Sequence, residues 1–169
     1  MDLRLAAPAE LDAVGELTLA AYAADGVIGP DHPYAATLRD AATRAAAAEL
    51  WVALDGADLL GTVTWCPPGS PLQEVARPGE GEFRMLAVDE AARGRGVGQA
   101  LVELCLDRAC DAGLDTLVLS TGDWMHAAHR LYERLGFRRL ADRDWSPRTG
   151  ICLLSYRRDG LSNRPPGPR

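Results

Sequence analysis

The chain has 169 residues, carries 18 basic and 24 acidic side chains for a net charge of -6, and is 47% hydrophobic. That length suits one globular domain with a core of its own, and the acidic balance argues against a nucleic-acid binder held by phosphate neutralisation. Every basic residue is arginine, so a Walker-type phosphate loop and Schiff-base chemistry on an enzyme amine are both excluded, each needing a lysine.

In chain order, a strand at Leu3–Ala6 leads into a helix starting near Pro8, with Leu11, Val14, Leu17 and Ala21 predicted on its buried face. The opening Met1-Asp2-Leu3-Arg4 has neither the basic region nor the apolar run of a signal peptide, and no segment reads as a membrane span. A Gly/Pro/Asp-rich connection, Tyr22 to Pro33, precedes an alanine-rich helix predicted from Tyr34 to Glu49. Strands at Leu50–Leu54 and Leu59–Trp65 form a hairpin across Asp55-Gly56-Ala57-Asp58. Cys66 to Gly81 reads as a long irregular loop, a length that points to function or mobility.

Glu82 to Val88 reads as a strand, Asp89 to Arg95 as a Gly-rich turn and Val97 to Ala112 as an amphipathic helix closed by Gly113. A buried strand at Leu117–Leu119 follows, then a helix from about Trp124 to Leu135 with Met125, Ala128, Leu131, Tyr132 and Leu135 as its apolar stripe. Strands near Phe137–Leu140 and Ile151–Tyr156 complete a mixed α/β order. Residues 1–158 form the predicted domain, and the Pro/Gly/Arg-rich residues 159–169 a predicted disordered tail. Cys66, Cys105, Cys110 and Cys152 form no Cys-x-x-Cys pair, which reads as buried thiols in a reducing cytoplasm.

The segment carrying chemistry is Arg93-Gly94-Arg95-Gly96-Val97-Gly98, between a strand and a helix. Glycines there let backbone N–H groups approach a ligand, and a helix start adds partial positive charge, which together make a phosphate or pyrophosphate cradle flanked by two arginines. The dinucleotide fingerprint fails, because its third glycine would have to stand at Gln99.

Arg93-x-x-Gly96-x-Gly98 resembles the R/Q-x-x-G-x-G/A signature of the GNAT family of N-acetyltransferases, and both Met85-Leu86-Ala87-Val88 and Leu131–Phe137 are similar to that family's pattern. The resemblance implies a single-domain α/β fold: a mixed, mostly antiparallel sheet flanked by helices, with a splayed strand at the acetyl-CoA site. It further implies acetyl transfer from acetyl-CoA, as co-substrate, to a primary amine of a small molecule or peptide, with no metal. The backbones of Leu86 and Val88, with Ala87 between them, would bind the pantetheine arm, and the Leu86 N–H would face the oxyanion. Arg93, Gly94, Arg95, Gly96, Val97, Gly98, Gln99 and Ala100 would hold the pyrophosphate. Tyr132 takes the place of the tyrosine that protonates the leaving thiolate, although periodicity alone reads it as a packing aromatic.

Glu82 stands at the spacing of the general base in histone-type members of the family. Strand alternation places Glu82, Arg84, Leu86 and Val88 on one face, and the competing reading is a strand-end carboxylate paired with an arginine. Met125 stands where many members carry an asparagine. His126 and His129, three residues apart, read as solvated or packing histidines. Tyr22, Asp25, Asp31, His32, Tyr34, Trp65 and Trp145 would line a pocket for a cationic amine. Two other readings stand beside direct acetyl transfer: a non-catalytic acyl-CoA-binding module, and transfer of a longer acyl group. The oligomeric state is not legible, though similar domains frequently pair as homodimers.

Overall fold

A computed structural model describes residues 1–24, 26–148 and 150–163. Among them are eight strands and five α-helices, falling into two compact units: Met1–Trp65 with Met85–Glu103, and Cys66–Arg84 with Leu104 onward.

In the first unit, β1 (Asp2–Leu5), β2 (Glu49–Asp55), β3 (Asp58–Cys66) and the latter half of β4 (Gly81–Val88) lie side by side in that order, with β1–β2 and β2–β3 antiparallel. The β2–β3 hairpin closes at Gly56, whose left-handed φ of 63° suits a tight two-residue turn. Helix α1 (Leu11–Ala23) buries Val14, as expected, with Gly15, Thr18 and Leu19, while Leu11, Leu17 and Ala21 of the expected stripe are half-buried. Close approach is the reason: a Cβ on Gly15 would collide with the Arg39 carbonyl oxygen, while Thr18 donates to Val14 O and accepts from buried Arg44.

The alanine-rich helix expected over Tyr34–Glu49 is two helices, α2 (Ala35–Arg39) and α3 (Ala41–Ala47). Asp40, with ψ 69°, leaves helical geometry between them, and its Oδ1 accepts from the Thr43 N–H as an N-cap. Val14 and Ala41 pack with Leu50, Val52 and Leu54 of β2 as the core.

In the second unit, the first half of β4 runs parallel to β5 (Leu117–Gly122) through the pairs Gly81–Leu117 and Glu82–Val118. β8 (Ile151–Arg158) pairs antiparallel with β5, with β6 (Arg138–Arg139) and with β7 (Trp145–Arg148), a strand not expected from sequence. Helix α4 (Val97–Asp111) starts in the first unit and ends in the second, and α5 (His126–Arg134) belongs to the second. Phe83, Tyr132, Phe137 and Tyr156 form an aromatic cluster with ring centroids 5.8–6.1 Å apart. These pairings make the mixed, mostly antiparallel sheet expected.

Packing continues past residue 158: Leu161 is buried and donates to Asp115 O, and Ser162 bonds the Asp115 carboxylate. Residues 164–169 of the expected tail lie outside the described residues. Among the described residues no helix is long and apolar enough to cross a membrane.

Candidate active site

The Gly-rich turn lies in the first unit and joins β4 to α4. Asp89 starts it, its Oδ1 accepting from the Ala91 N–H and its own N–H reaching Leu60 O on β3. Ala92 anchors the turn in the core, and residues 93–96 are exposed. Gly94 and Gly96 have φ of 77° and 81°, and a Cβ at either would meet nothing within 4 Å. Their selection is therefore conformational: left-handed backbone suits glycine, and two such residues in alternation curl the chain into a nest. Ala100 donates to Gly96 O as α4 begins, so helix geometry leaves the N–H groups of Val97, Gly98 and Gln99 without an intrahelical acceptor. This open, positively polarised cradle fits a pyrophosphate.

The flanking side chains are less available than the backbone. Arg95 bonds Asp55 of the hairpin turn at 2.8 Å, and the Gln99 amide bonds Glu103. The arginine pair is more than half exposed, and such a pair contributes about 0–1 kcal/mol, so a phosphate can displace it.

On β4, buried Phe83, Met85 and Ala87 alternate with half-buried Arg84, Leu86 and Val88. Met85 has φ 51°, a left-handed conformation rare within a strand for any residue but glycine, as at a bulge. The peptide that follows, carrying the Leu86 N–H, is the one expected to face the oxyanion.

In the second unit Glu82 departs from its expected setting. It is 0% exposed although Arg84, two residues on, is only half-buried. The loop closes over it: Oε2 accepts from the successive N–H groups of Glu74, Val75 and Ala76 at 3.0, 3.0 and 2.9 Å. Oε1 is buried with no hydrogen-bond partner. Burial pushes the Glu82 carboxyl above its ordinary value, opposed by those three N–H groups. The arginine nearby is occupied elsewhere, Arg84 bonding Glu74 and Leu72 O.

The loop read as irregular, with a length that points to function or mobility, is extensively bonded. Gln73 accepts from the Gly69 N–H and donates to Glu80 O, and Arg143 bonds both Glu80 oxygens and Val75 O. Cys66 at its start is fully buried, and desolvation together with the Glu82 charge pushes its thiol up to about 12, which makes it a poor nucleophile.

Tyr132 is 4% exposed, its ring edge-on to Phe83, the neighbour of Glu82 in the chain. His129 Nε2 lies 2.9 Å from Gly122 O with its ring near Tyr156, so it packs, while His126, edge-on against it, is exposed. Met125 accepts a weak bond from Thr121 through its sulfur. Among the described residues no group of His, Cys, Asp and Glu could hold a metal ion.

Of the residues expected at the acceptor side, Trp65 is 1% exposed and belongs to the core, and Trp145 packs against Val75, Val118 and Leu140. His32 accepts from the Tyr34 N–H, Tyr22 is half-buried and Asp31 is exposed, while Asp25 lies outside the described residues. The first unit thus brings Leu86, Ala87 and Val88 together with Arg93–Ala100, and the second holds Glu82 and Tyr132. The donors at Glu74, Val75 and Ala76 carry no sequence signal, being ordinary backbone in a loop.

The chain is similar to known proteins. The acetyltransferase (GNAT) family profile matches residues 12–137. The chain is 38% identical over 120 residues to the mycothiol acetyltransferase of Cellulomonas flavigena, covering 65% of this chain and 34% of that protein. It is 33% identical over 93 residues to N-acetyltransferase family 8 member 2 of Rattus norvegicus, covering 53% and 38%. The chain thus spans about a third of the length of these relatives. A GNAT acetyltransferase structure from Staphylococcus aureus Mu50 superposes with a TM-score of 0.73 at 16% identity, covering 94% of this chain and 98% of that one. The structure of yncA from Salmonella typhimurium with its cofactor acetyl-CoA superposes with a TM-score of 0.68 at 18% identity, covering 100% and 98%. From its signature, its fold and the profile match across most of its length, the chain belongs to the GNAT family of acetyltransferases.

Proposed function

We propose that this chain transfers an acetyl group from acetyl-CoA to a primary amine by direct attack on the thioester. The open cradle at Gly94–Gly98 on the start of α4 carries the reading: helix-start donors with no intrahelical acceptor, on a chain with no lysine, suit a ligand held by its pyrophosphate through backbone amides. Acetyl-CoA, when bound, supplies the activated thioester. Arg93–Ala100 hold its pyrophosphate, Leu86, Ala87 and Val88 offer their peptides to its arm, and the Leu86 N–H stabilises the oxyanion.

Glu82 Oε1 is the base that takes the ammonium proton, relayed through water because the carboxylate is buried. Burial makes this carboxyl more basic, and the loop amides on Oε2 keep Oε1 as the free oxygen. The Tyr132 hydroxyl gives a proton to the leaving thiolate. The acceptor is a small-molecule amine; the names of relatives such as mycothiol acetyltransferase and N-acetylaspartate synthetase support that class. A reducing cytoplasm is its compartment, a reading supported by four cysteines that form no disulfide.

A thiol reporter with acetyl-CoA and a panel of amines tests the proposal. CoA release that tracks formation of acetylated amine is expected; binding of acetyl-CoA with no release for any amine would instead identify an acyl-CoA-binding module.

A further inference from the structure

Gly61 stands in the middle of β3, paired with Ala53 of β2, where a strand ordinarily carries a side chain. It is absent from the glycines with left-handed backbone, so its conformation is open to any residue. Space is what excludes a side chain. A Cβ at Gly61 would lie 2.8 Å from the Ala87 carbonyl oxygen, 3.0 Å from Val97 Cγ1 and 3.2 Å from Leu101 Cδ1. The first contact is backbone and cannot rotate away, and Val97 and Leu101 are 2% and 0% exposed.

These neighbours belong to two elements, the end of β4 and the first turns of α4. They are the two elements assigned above to opposite ends of one elongated donor. Ala87 lies between the peptides at Leu86 and Val88, and Val97 lies within the Gly94–Gly98 cradle. A side chain at Gly61 would press on both elements at once.

We propose that Gly61 is a positioning residue that sets the span between the pantetheine-binding strand and the pyrophosphate-binding helix, and so makes the site selective for a donor of full CoA length. The proposal rests on the acetyl-CoA reading of that site. Joining two fragments in one ligand gains affinity only when the protein holds their subsites at the matching distance. A methyl group at residue 61 presses α4 and the end of β4 away from β3 and so alters their spacing, while leaving the donors of each in place.

The test is calorimetric titration of wild type and Gly61→Ala with CoA, with pantetheine and with adenosine 3′,5′-bisphosphate, beside steady-state rates with acetyl-CoA and S-acetylpantetheine. Gly61→Ala is expected to weaken CoA about tenfold, a part of the roughly hundredfold or greater gain that joining two fragments can give. Its affinity for the two fragments and its kcat/KM for S-acetylpantetheine are expected to stay at the wild-type level, and the KM for acetyl-CoA to rise with kcat nearly unchanged.

Leu106→Ala, which hollows the buried face further along α4, lowers stability without this selectivity and serves as the control. Should Gly61→Ala not fold, Gly61→Ala/Leu101→Ala, with room returned on the helix side, carries the same comparison. CoA and both fragments weakening in parallel, or CoA binding as in wild type, would overturn the positioning role. Wild type that binds no CoA would overturn the donor reading itself, and this inference with it.

Discussion

The loop at residues 66–80 and the turn and helix start at residues 89–99 stand on either side of β4 in the chain, both punctuated by glycine, and they differ in where backbone N–H groups are left open. In the turn, left-handed Gly94 and Gly96 lead into a helix start whose first donors have no acceptor within the helix. In the loop, the N–H groups of Glu74, Val75 and Ala76 converge on one buried carboxylate oxygen, and those of Gly69 and Arg77 are taken by Gln73 and Glu80. The turn bonds the N–H groups of Ala91, Ala92, Arg93 and Arg95 within itself and leaves those of the helix start at Val97, Gly98 and Gln99 for a ligand, while the loop spends its own on its side chains and closes. Glycine content therefore does not mark a binding loop; an internal acceptor decides, and Glu82 is that acceptor.

The largest effect is expected from removing it. Glu82→Ala takes the shared acceptor from one buried and two part-buried loop N–H groups; water reaches the part-buried pair, so stability should fall by about 1–3 kcal/mol. Denaturant titration reads the loss, and unchanged stability would break the contrast between the loops. Glu82→Gln keeps an oxygen for the same donors but no base: activity should fall with the loop amides still protected. Unaltered turnover and pH–rate profile in that variant would end the role of Glu82 as base.

Next comes Tyr132→Phe, which keeps the ring in the aromatic cluster and removes the hydroxyl. A loss of about a hundredfold in kcat with little change in the KM for acetyl-CoA is expected of a general acid separate from the cradle. Equal losses in kcat and donor affinity would place Tyr132 in binding instead. Gly96→Val strains a left-handed residue by about 1–2 kcal/mol and crowds the open face, so CoA affinity should drop about tenfold or more while the exchange protection of residues 74–76 is unaffected.

The smallest effect concerns a carboxylate with the opposite setting to Glu82. Glu10 lies half-buried near the chain start, where a fork from Arg4 and the Ala7 N–H lower its pKa from the ordinary 4.5 to about 2. A lowered folded-state value contributes stability above the ordinary pKa, and the contribution is lost as pH falls from about 4.5 towards 2. Glu10→Gln should therefore flatten the fall of Tm with acidification over that window. Burial raises the pKa of Glu82, so its contribution runs the other way and is lost as pH rises through its folded-state value.

What the sequence made legible follows the same division. The strand, turn and helix around the cradle are local: glycine spacing and helix periodicity lie within a few residues of each other, and the structure repeats them. The sealing of the loop was not legible, because Glu82 reaches back six to eight residues into backbone that has no period. Composition also misled at Asp40, where alanine propensity argued for one helix and an Asp-x-x-Thr cap made two. Strand β7 was hidden by Pro147, which suits an edge and not a strand interior. Part of the α1 stripe escaped a hydrophobic pattern because Gly15 and Thr18 are buried for fit and hydrogen bonding.

Hydrogen–deuterium exchange of the wild-type chain, with and without CoA, tests the central claim most directly. The amides of residues 96–99 should exchange rapidly in the free protein and become protected when CoA is added, while those of Glu74, Val75 and Ala76 should be protected from the start and unchanged by it. Fast exchange at residues 74–76 in the free protein, or CoA binding that leaves residues 96–99 unprotected, would contradict it.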